Sequence, residues 1–148
     1  MNDKDEVLDG NEFDIIWNAI WDMVKQYPRQ PDDPDEIVQY DELESDTSLG
    51  VFILGGKYKK KYVSGGFTAE INFRVAYKSV PQTSPQRIDS QAFVGRIMEW
   101  LETTKKLPLL TEGRKITKIT ASAAVKTKTD SGTVYAADAV LEYYKKGV

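Results

Sequence analysis

Basic residues are interleaved with aromatic ones in a short stretch near the middle of the chain. The stretch contains Lys57, Tyr58, Lys59, Lys60, Lys61 and Tyr62. Basic side chains attract a phosphate backbone and aromatic rings stack on unpaired bases, so this composition is typical of a surface that binds single-stranded nucleic acid. Lysines also protect exposed sheet edges from aggregation. Both interpretations stay open, and the protected edge strand is the favoured one.

Three other patterns fall short of a recognisable chemical site. Gly50–Lys57 differs from a phosphate-binding loop because its lysine comes one position late and Tyr58 replaces the magnesium-binding hydroxyl residue. The aspartates of residues 28–35 lack the spacing of a calcium-binding loop. Glu99 and Glu102 flank predicted core positions and are expected on a solvated helix face. We therefore predict no metal and no cofactor.

The composition narrows the function further. The 148 residues include neither histidine nor cysteine, which removes the common general base, the histidine-dependent triads, thiolate nucleophiles and disulfides. With 41% hydrophobic and 29% charged residues, the chain is predicted to form a single domain over residues 1–148, with a frayed start at 1–10 and an acidic, loop-rich segment at 28–48. No apolar run reaches the length of a membrane span. A non-enzymatic binding or structural protein is favoured, and an enzyme using only carboxylates and lysines is the weaker alternative.

Charge is distributed unevenly along the chain. Residues 1–48 carry 15 acidic and 3 basic side chains, a net charge of −12, whereas residues 49–148 carry 8 acidic and 17 basic ones, a net charge of +9. Either an acidic segment folds over a basic sheet within one chain, or the acidic surface of one copy meets the basic surface of another.

Two amphipathic helices are predicted. Apolar residues recur every three or four positions between Asn11 and Tyr27, with Asn11 as the expected N-cap and Pro28 as the stop. The apolar face of this helix is wide, which suits a core helix or one that also contacts a partner. A second helix is predicted over Pro85–Thr103, capped by Ser84.

Strands are predicted on either side of the second helix. The first group comprises a short candidate at Glu36–Tyr40, then Leu49–Leu54 and Lys57–Val63, with Gly55 and Gly56 breaking or bulging the chain between the last two. From residue 67 to residue 78, apolar and polar side chains alternate strictly, which indicates a long strand with one buried face.

A closing hairpin completes the predicted fold. Lys115–Lys126 and Val134–Lys145 form its strands, and Thr127–Thr133 forms its turn. The fold class is therefore α+β, a mainly antiparallel sheet with two principal helices packed on one face. The predicted core contains Phe67, Ile71, Phe73, Val75, Ile97, Trp100, Leu101 and Leu141.

The order of these segments resembles the tail terminator and minor capsid proteins of long-tailed phages and prophages. The similarity is carried by the lysine hairpin and alternating strand of residues 56–78 and by the helix ending in Glu99-Trp-Leu-Glu102. It continues through the connection at 107–114 and the final strand at 135–144. It covers Leu49 to the C-terminus, and the first helix more loosely.

This resemblance implies a non-enzymatic virion protein at the junction of head and tail, present in the host cytoplasm during assembly. Such proteins form a hexameric ring that caps the tail tube, and the free chain can be monomeric. The implied partners are further copies, the tail tube protein and the head connector or stopper protein, without a membrane and without nucleic acid as the main ligand. The alternatives are another minor capsid protein, or a small nucleic-acid-binding module using Lys57–Lys61.

Within this hypothesis, the projecting parts of the chain contact the partners. These parts are the hairpin Gly56–Gly66 and the turn Thr127–Thr133. The predicted interface residues are Lys57, Lys59, Lys60, Lys61, Asp130, Ser131 and Gly132.

Overall fold

The computed structural model describes residues 7–28, 38–40, 48–79, 84–103, 113–129 and 132–147. Two α-helices and six β-strands lie within these residues. In chain order they are α1 (Gly10–Lys25), β1 (Val38–Tyr40), β2 (Ser48–Lys61), β3 (Phe67–Ser79), α2 (Ser84–Thr103), β4 (Arg114–Ala121), β5 (Val125–Thr129) and β6 (Gly132–Lys145).

The strands form one mixed but mainly antiparallel sheet. Its order is β1-β2-β3-β6-β4, and β5 pairs with the remainder of β6 on the same side as β4. Only β1 runs parallel to its neighbour, β2, among the described strands. Both helices contribute to a core on one face of the sheet, which confirms the predicted α+β fold. We call the opposite face of the sheet the open face.

The core follows the predicted alternation of β3. Alternate residues of β3 and β6 pair directly across the two strands, for example Phe73 with Ala139 and Ile71 with Leu141, and all four side chains are buried. Six of the eight predicted core residues are buried, whereas Phe67 and Trp100 are half-buried against the edge of the core. Apolar burial on this scale is the main favourable contribution to folding.

The wide apolar face of α1 packs within its own chain. Ala19 and Met23, which broaden that face, are both buried. Beyond the helix, the ring of Tyr27 stands edge-on to Phe93 at 6.1 Å and to Trp100 at 5.7 Å between centroids. Since these two rings belong to α2, the end of α1 is joined to the second helix by aromatic contacts.

The start of α1 differs from the prediction in two ways. The N-cap is Asp9 rather than Asn11, because a carboxylate oxygen of Asp9 accepts the backbone N–H of Glu12 at 2.9 Å. The other oxygen accepts the Tyr58 hydroxyl at 3.0 Å. Residues 7–10 are also not frayed, since Val7 bridges to Lys57 and the side chain of Leu8 is buried. Residues 1–6 lie outside the described residues.

Mutation of the two candidate caps is expected to change stability by different amounts. Asp9→Ala is expected to lower the free energy of unfolding by about 1–2 kcal/mol, since it removes the cap and leaves Tyr58 without its acceptor. Asn11→Ala is expected to change it by less than about 0.5 kcal/mol, because Asn11 is exposed and caps nothing. Urea unfolding of both variants measures the difference. Equal losses would show that Asp9 is not the cap.

The predicted strands on either side of Gly55 and Gly56 are one continuous strand. The register of β2 against β3 shifts between Ile53 and Gly55, so the glycine pair accompanies a bulge and not a break. A Cβ on Gly56 would lie 2.9 Å from side-chain atoms of both Ile71 and Leu8. Glycine at this position therefore allows the segment before α1 to pack against β2.

The first strand of the closing hairpin, predicted as one strand over Lys115–Lys126, is two strands, β4 and β5. In the gap between β4 and β5, two hydrogen bonds still join Ser122 to β6. The Ser122 N–H donates to the Asp138 carbonyl at 2.8 Å, and the Ser122 hydroxyl accepts the Asp138 N–H at 3.0 Å. The strands continue further into the predicted turn, to Thr129 and from Gly132. Asp130 and Ser131 lie outside the described residues. Ser84, the predicted N-cap of α2, is instead its first helical residue, so the N-cap position at residue 83 lies outside the described residues.

Candidate functional site on the open face

The predicted lysine site lies on the hairpin that joins β2 to β3. Lys57 forms an ion pair with Glu70 at 3.4 Å, and Lys59 pairs with Glu142. Glu70 and Glu142 face each other across β3 and β6. The hydrogen bond from Lys59 to Glu142 raises the pKa of the lysine above its usual value. Two of the four predicted contact lysines therefore already neutralise carboxylates of their own sheet.

The tyrosines of this segment do not form a continuous stacking surface. Tyr58 is buried, 6% exposed, and its hydroxyl is bound to Asp9. Lys61 lies 4.4 Å from the centre of the Tyr58 ring, and Lys60 lies 5.3 Å from the centre of the Tyr62 ring. Only Tyr62 is exposed among these tyrosines. The arrangement favours cation–π contacts within the hairpin over stacking on nucleic-acid bases.

The lysines of this segment lie within β2, and only the turn at residues 62–66 extends past the paired strands, where it packs against residues 145–147. Tyr62 donates its N–H to the Gly66 carbonyl at 2.8 Å and accepts the Gly65 N–H at 3.0 Å, which closes the turn. Val63 at the tip is fully exposed. A single exposed apolar side chain is normal on a protein surface and does not by itself mark a binding site.

The predicted interface residues fall into two separate places. Phe67 pairs with Lys145 at the hairpin end of the sheet, whereas Ser79 pairs with Thr133 at the other end, beside Gly132. The twelve residue steps of β3 between these pairs span about 40 Å. Gly132 begins β6 opposite Thr129, whose hydroxyl donates to the Gly132 carbonyl at 2.9 Å. The lysine hairpin and the closing turn are therefore two surfaces and not one site.

A groove on the open face was missed by sequence reasoning. It encloses about 580 Å³, and its apolar lining includes Phe52, Leu54, Ala76, Val125, Val134 and Ala136. Leu54 is 47% exposed and Val125 is 65% exposed. The sequence does carry a signal, because β6 has apolar residues on both of its faces, as a strand covered on both sides would.

One charged pair lies at the polar side of the groove. Arg74 donates two hydrogen bonds to Asp138, at 2.7 and 3.2 Å, from the directly opposite position of the neighbouring strand. The hydrogen bonds from the guanidinium to Asp138 raise the pKa of Arg74 further. Both side chains are nearly half-exposed. The groove thus combines an apolar floor with a preorganised, exposed pair, which suits a protein contact.

A second polar cluster lies between α1 and strands β4 and β6. Arg114 donates to both oxygens of Glu12, at 2.8 and 2.5 Å, and the Tyr143 hydroxyl donates to Glu12 at 2.7 Å. Burial acts to raise the pKa of Glu12, but the hydrogen bonds from Arg114 and Tyr143 outweigh it and lower the pKa. Burial and the Glu12 acceptor raise the pKa of Tyr143. Both pKa values are shifted away from neutral pH, and the hydrogen bonds of the cluster tie α1 to β4 and β6.

The described residues were also searched for metal-binding groups and for membrane-spanning helices. They contain no group of three or more acidic residues placed to hold a metal ion. None of their helices is both long and apolar enough to cross a membrane.

Comparison with known proteins adds no family assignment. The sequence matches none of the protein-family models, and no curated protein is significantly similar to it. The phage resemblance therefore rests on the order of the segments alone.

Proposed function

We propose that the chain is a tail terminator, a non-enzymatic ring component that caps the tail tube of a long-tailed phage or prophage and contacts the head connector. The observation that carries this proposal is the groove on the open face, flanked by the exposed side chains of Leu54 and Val125. Exposed apolar positions around a preformed groove are typical of surfaces that bind other proteins.

A terminator needs different surfaces for the tube, the connector and its own copies. In this chain the helices occupy one face of the sheet, and the groove lies on the other. The turn that follows the lysines of β2 and the strand ends at Thr129 and Gly132 lie at opposite ends of the sheet. This separation lets one ring present unlike surfaces above and below.

The buried polar cluster supports a structural role. The pKa of Glu12 is lowered and that of Tyr143 is raised, each away from neutral pH, and the side-chain hydrogen bonds of Glu12 go to Arg114 and Tyr143. A general acid or base would need a pKa near the working pH and access to a substrate.

Sedimentation with tail tubes tests this proposal. We expect the purified chain to remain in the supernatant alone and to co-sediment when tubes assembled from the tail tube protein are added. Changing Lys59, Lys60 and Lys61 together to glutamate is expected to reduce the bound fraction, because the hairpin would meet the tube with reversed charge.

The controls distinguish failure of the hairpin assignment from failure of the terminator proposal. Asn18→Glu, which adds negative charge to the exposed side of α1, is expected to leave binding unchanged. An unchanged bound fraction for the triple variant would remove the hairpin from the interface. Failure of the unmodified chain to co-sediment would overturn the terminator proposal.

A further inference from the structure

β5 is an edge strand whose side chains are all exposed. Its five residues, Val125–Thr129, pair only with β6 among the described strands. The pairing shows no register shift, and the strand contains no proline. Alternate residues of an edge strand direct their backbone N–H and C=O groups away from the sheet. β5 therefore offers a regular backbone edge, without the bulge or proline that commonly prevents pairing with another strand.

The two faces of β5 differ in their chemistry. Val125 and Thr127 lie on the open face, where both line the groove. Lys126 is opposite the core residue Tyr135, so Lys126 and Lys128 alternate onto the face that carries the helices. One face of the strand is therefore uncharged and partly apolar, and the other face is basic.

The basic face of β5 has no acidic partner among the described residues. Lys126 and Lys128 form no ion pair with any of them. The surrounding sequence supplies none either, because residues 113–129 contain no acidic side chain. Asp138, the carboxylate that lines the groove, is already bound to Arg74. A ligand that covers this edge therefore brings its own negative charge.

The apolar lining of the groove continues to the same edge. It runs in register from Ala76 of β3 through Ala136 of β6 to Val125 of β5. Val125, at its outer end, is 65% exposed. A strand placed beyond Val125 would lie about 4.8 Å away and would cover that exposed side. Burying apolar surface in this way favours binding.

We infer that β5 pairs along its outer edge with an extended segment of a partner protein in which apolar and acidic residues alternate. The apolar side chains of that segment pack beside Val125 on the open face, and its acidic side chains lie opposite Lys126 and Lys128. Main-chain hydrogen bonds supply the attraction. The two unlike faces fix the register, since a shift by one residue would place acidic side chains beside the valine.

The same lysines discourage pairing with a second β5 edge. Two copies joined β5 to β5 would place Lys126 and Lys128 beside the lysines of the other copy, and like charges on neighbouring strands repel. An acidic segment turns that repulsion into attraction. The chemistry of the edge therefore favours a foreign acidic strand over its own counterpart.

This inference deepens the proposed function by naming how the groove side of the sheet holds a partner. It rests on that function only for the protein that supplies the segment. Peptide binding can be measured with the isolated chain, without tail tubes, so the inference and the proposed function can fail independently.

Fluorescence anisotropy of labelled peptides tests the strand pairing. The probe is a peptide of alternating valine and glutamate, about seven residues long, which spans the five residues of β5 with one to spare at each end. It is expected to bind the unmodified chain saturably. A peptide of the same composition with its valines and glutamates in two blocks is expected to bind at least about tenfold more weakly, because it cannot present one acidic and one apolar face.

Methylation of the peptide backbone separates strand pairing from simple charge attraction. A strand added at one edge uses only alternate N–H groups of the peptide. N-methylation of one alternate set of residues is therefore expected to abolish binding, and N-methylation of the other set is expected to preserve it. Charge attraction alone would tolerate both sets.

Charge reversal on β5 tests the orientation of the added strand. Lys126→Glu with Lys128→Glu is expected to weaken binding of the valine–glutamate peptide at least about tenfold, since two attractive pairs become repulsive. A valine–lysine peptide is expected to bind this double variant and not the unmodified chain. Lys115→Glu with Lys118→Glu, which makes the same change of charge on β4, is expected to alter binding less than about threefold. Circular dichroism shows that each variant is folded.

Three results would overturn the inference. The first is the absence of saturable binding by the alternating peptide, or equal binding by the block peptide. The second is binding that survives both N-methylation patterns, or equal effects of the β5 and β4 reversals. The third is oligo-dT binding, or a mass that rises with concentration, that reversal of Lys126 and Lys128 abolishes, which would assign the edge to nucleic acid or to a second copy. Peptide binding without co-sedimentation on tubes would keep this inference and remove the proposed function, and co-sedimentation without peptide binding would do the reverse.

Discussion

Replacing Phe73 by alanine is expected to lower the free energy of unfolding by about 3–5 kcal/mol, the usual cost of removing a large aromatic side chain from a packed core. Phe73 is fully buried at the centre of the sheet, between Ile53 of β2 and Ala139 of β6. Because both neighbours are held by their own ladders, the cavity left by the ring cannot collapse easily.

Its neighbour in sequence provides the control. Asn72 lies on the same strand but is exposed on the open face, so Asn72→Ala is expected to change the free energy of unfolding by less than about 0.5 kcal/mol. Urea unfolding followed by tryptophan fluorescence gives both values. Equal effects at the two positions would mean that the face of β3 carrying Phe73 is not the core face.

Replacing Glu12 by glutamine is expected to cost a similar amount, about 3–5 kcal/mol, because it leaves the buried Arg114 guanidinium without a counter-charge. Both side chains are 7% exposed. The double variant Glu12→Gln with Arg114→Met is expected to recover much of this loss, since no unpaired charge then remains in the interior. Urea unfolding of the single and double variants tests this, and an equally large loss in the double variant would contradict it.

The same ion pair predicts how stability depends on acid. The pKa of Glu12 is lower in the folded chain than its ordinary value of 4.5. Its contribution to stability is therefore present above pH 4.5 and is lost as the pH falls through the folded pKa. We expect the free energy of unfolding of the unmodified chain to fall more steeply below pH 4.5 than that of the double variant. Parallel curves would show that Glu12 does not carry this dependence.

Local patterns predicted the elements of this fold well. The alternation in β3 has period two and one buried face, so the sequence alone identifies which side chains face the core. The N-cap was harder, because Asp9 and Asn11 are both suitable capping residues and lie only two positions apart. Asp9, the observed cap, also accepts a hydrogen bond from Tyr58, 49 residues away in the sequence. Such a tertiary contact is not visible in the local sequence around the helix start.

The candidate surfaces depended on strand order, which local patterns do not determine. The lysines at 57–61 stand out in the sequence, yet Lys59 is paired with a carboxylate 83 residues further along the chain. The lysines at 115–128 are more widely spaced in the sequence. They come together along one edge only because β4 and β5 both pair with the same side of β6. The groove likewise needs β2, β3, β5 and β6 side by side before its apolar residues meet.

Electron microscopy of particles produced without this protein tests the terminator proposal most directly. The coding sequence is deleted from the genome that the proposal identifies as a phage or prophage, and the lysate is examined by negative staining. The account predicts tails of irregular, extended length without attached heads, with normal virions restored when the unmodified chain is supplied from a plasmid. Virions with heads attached to tails of normal length in the deletion lysate would contradict it.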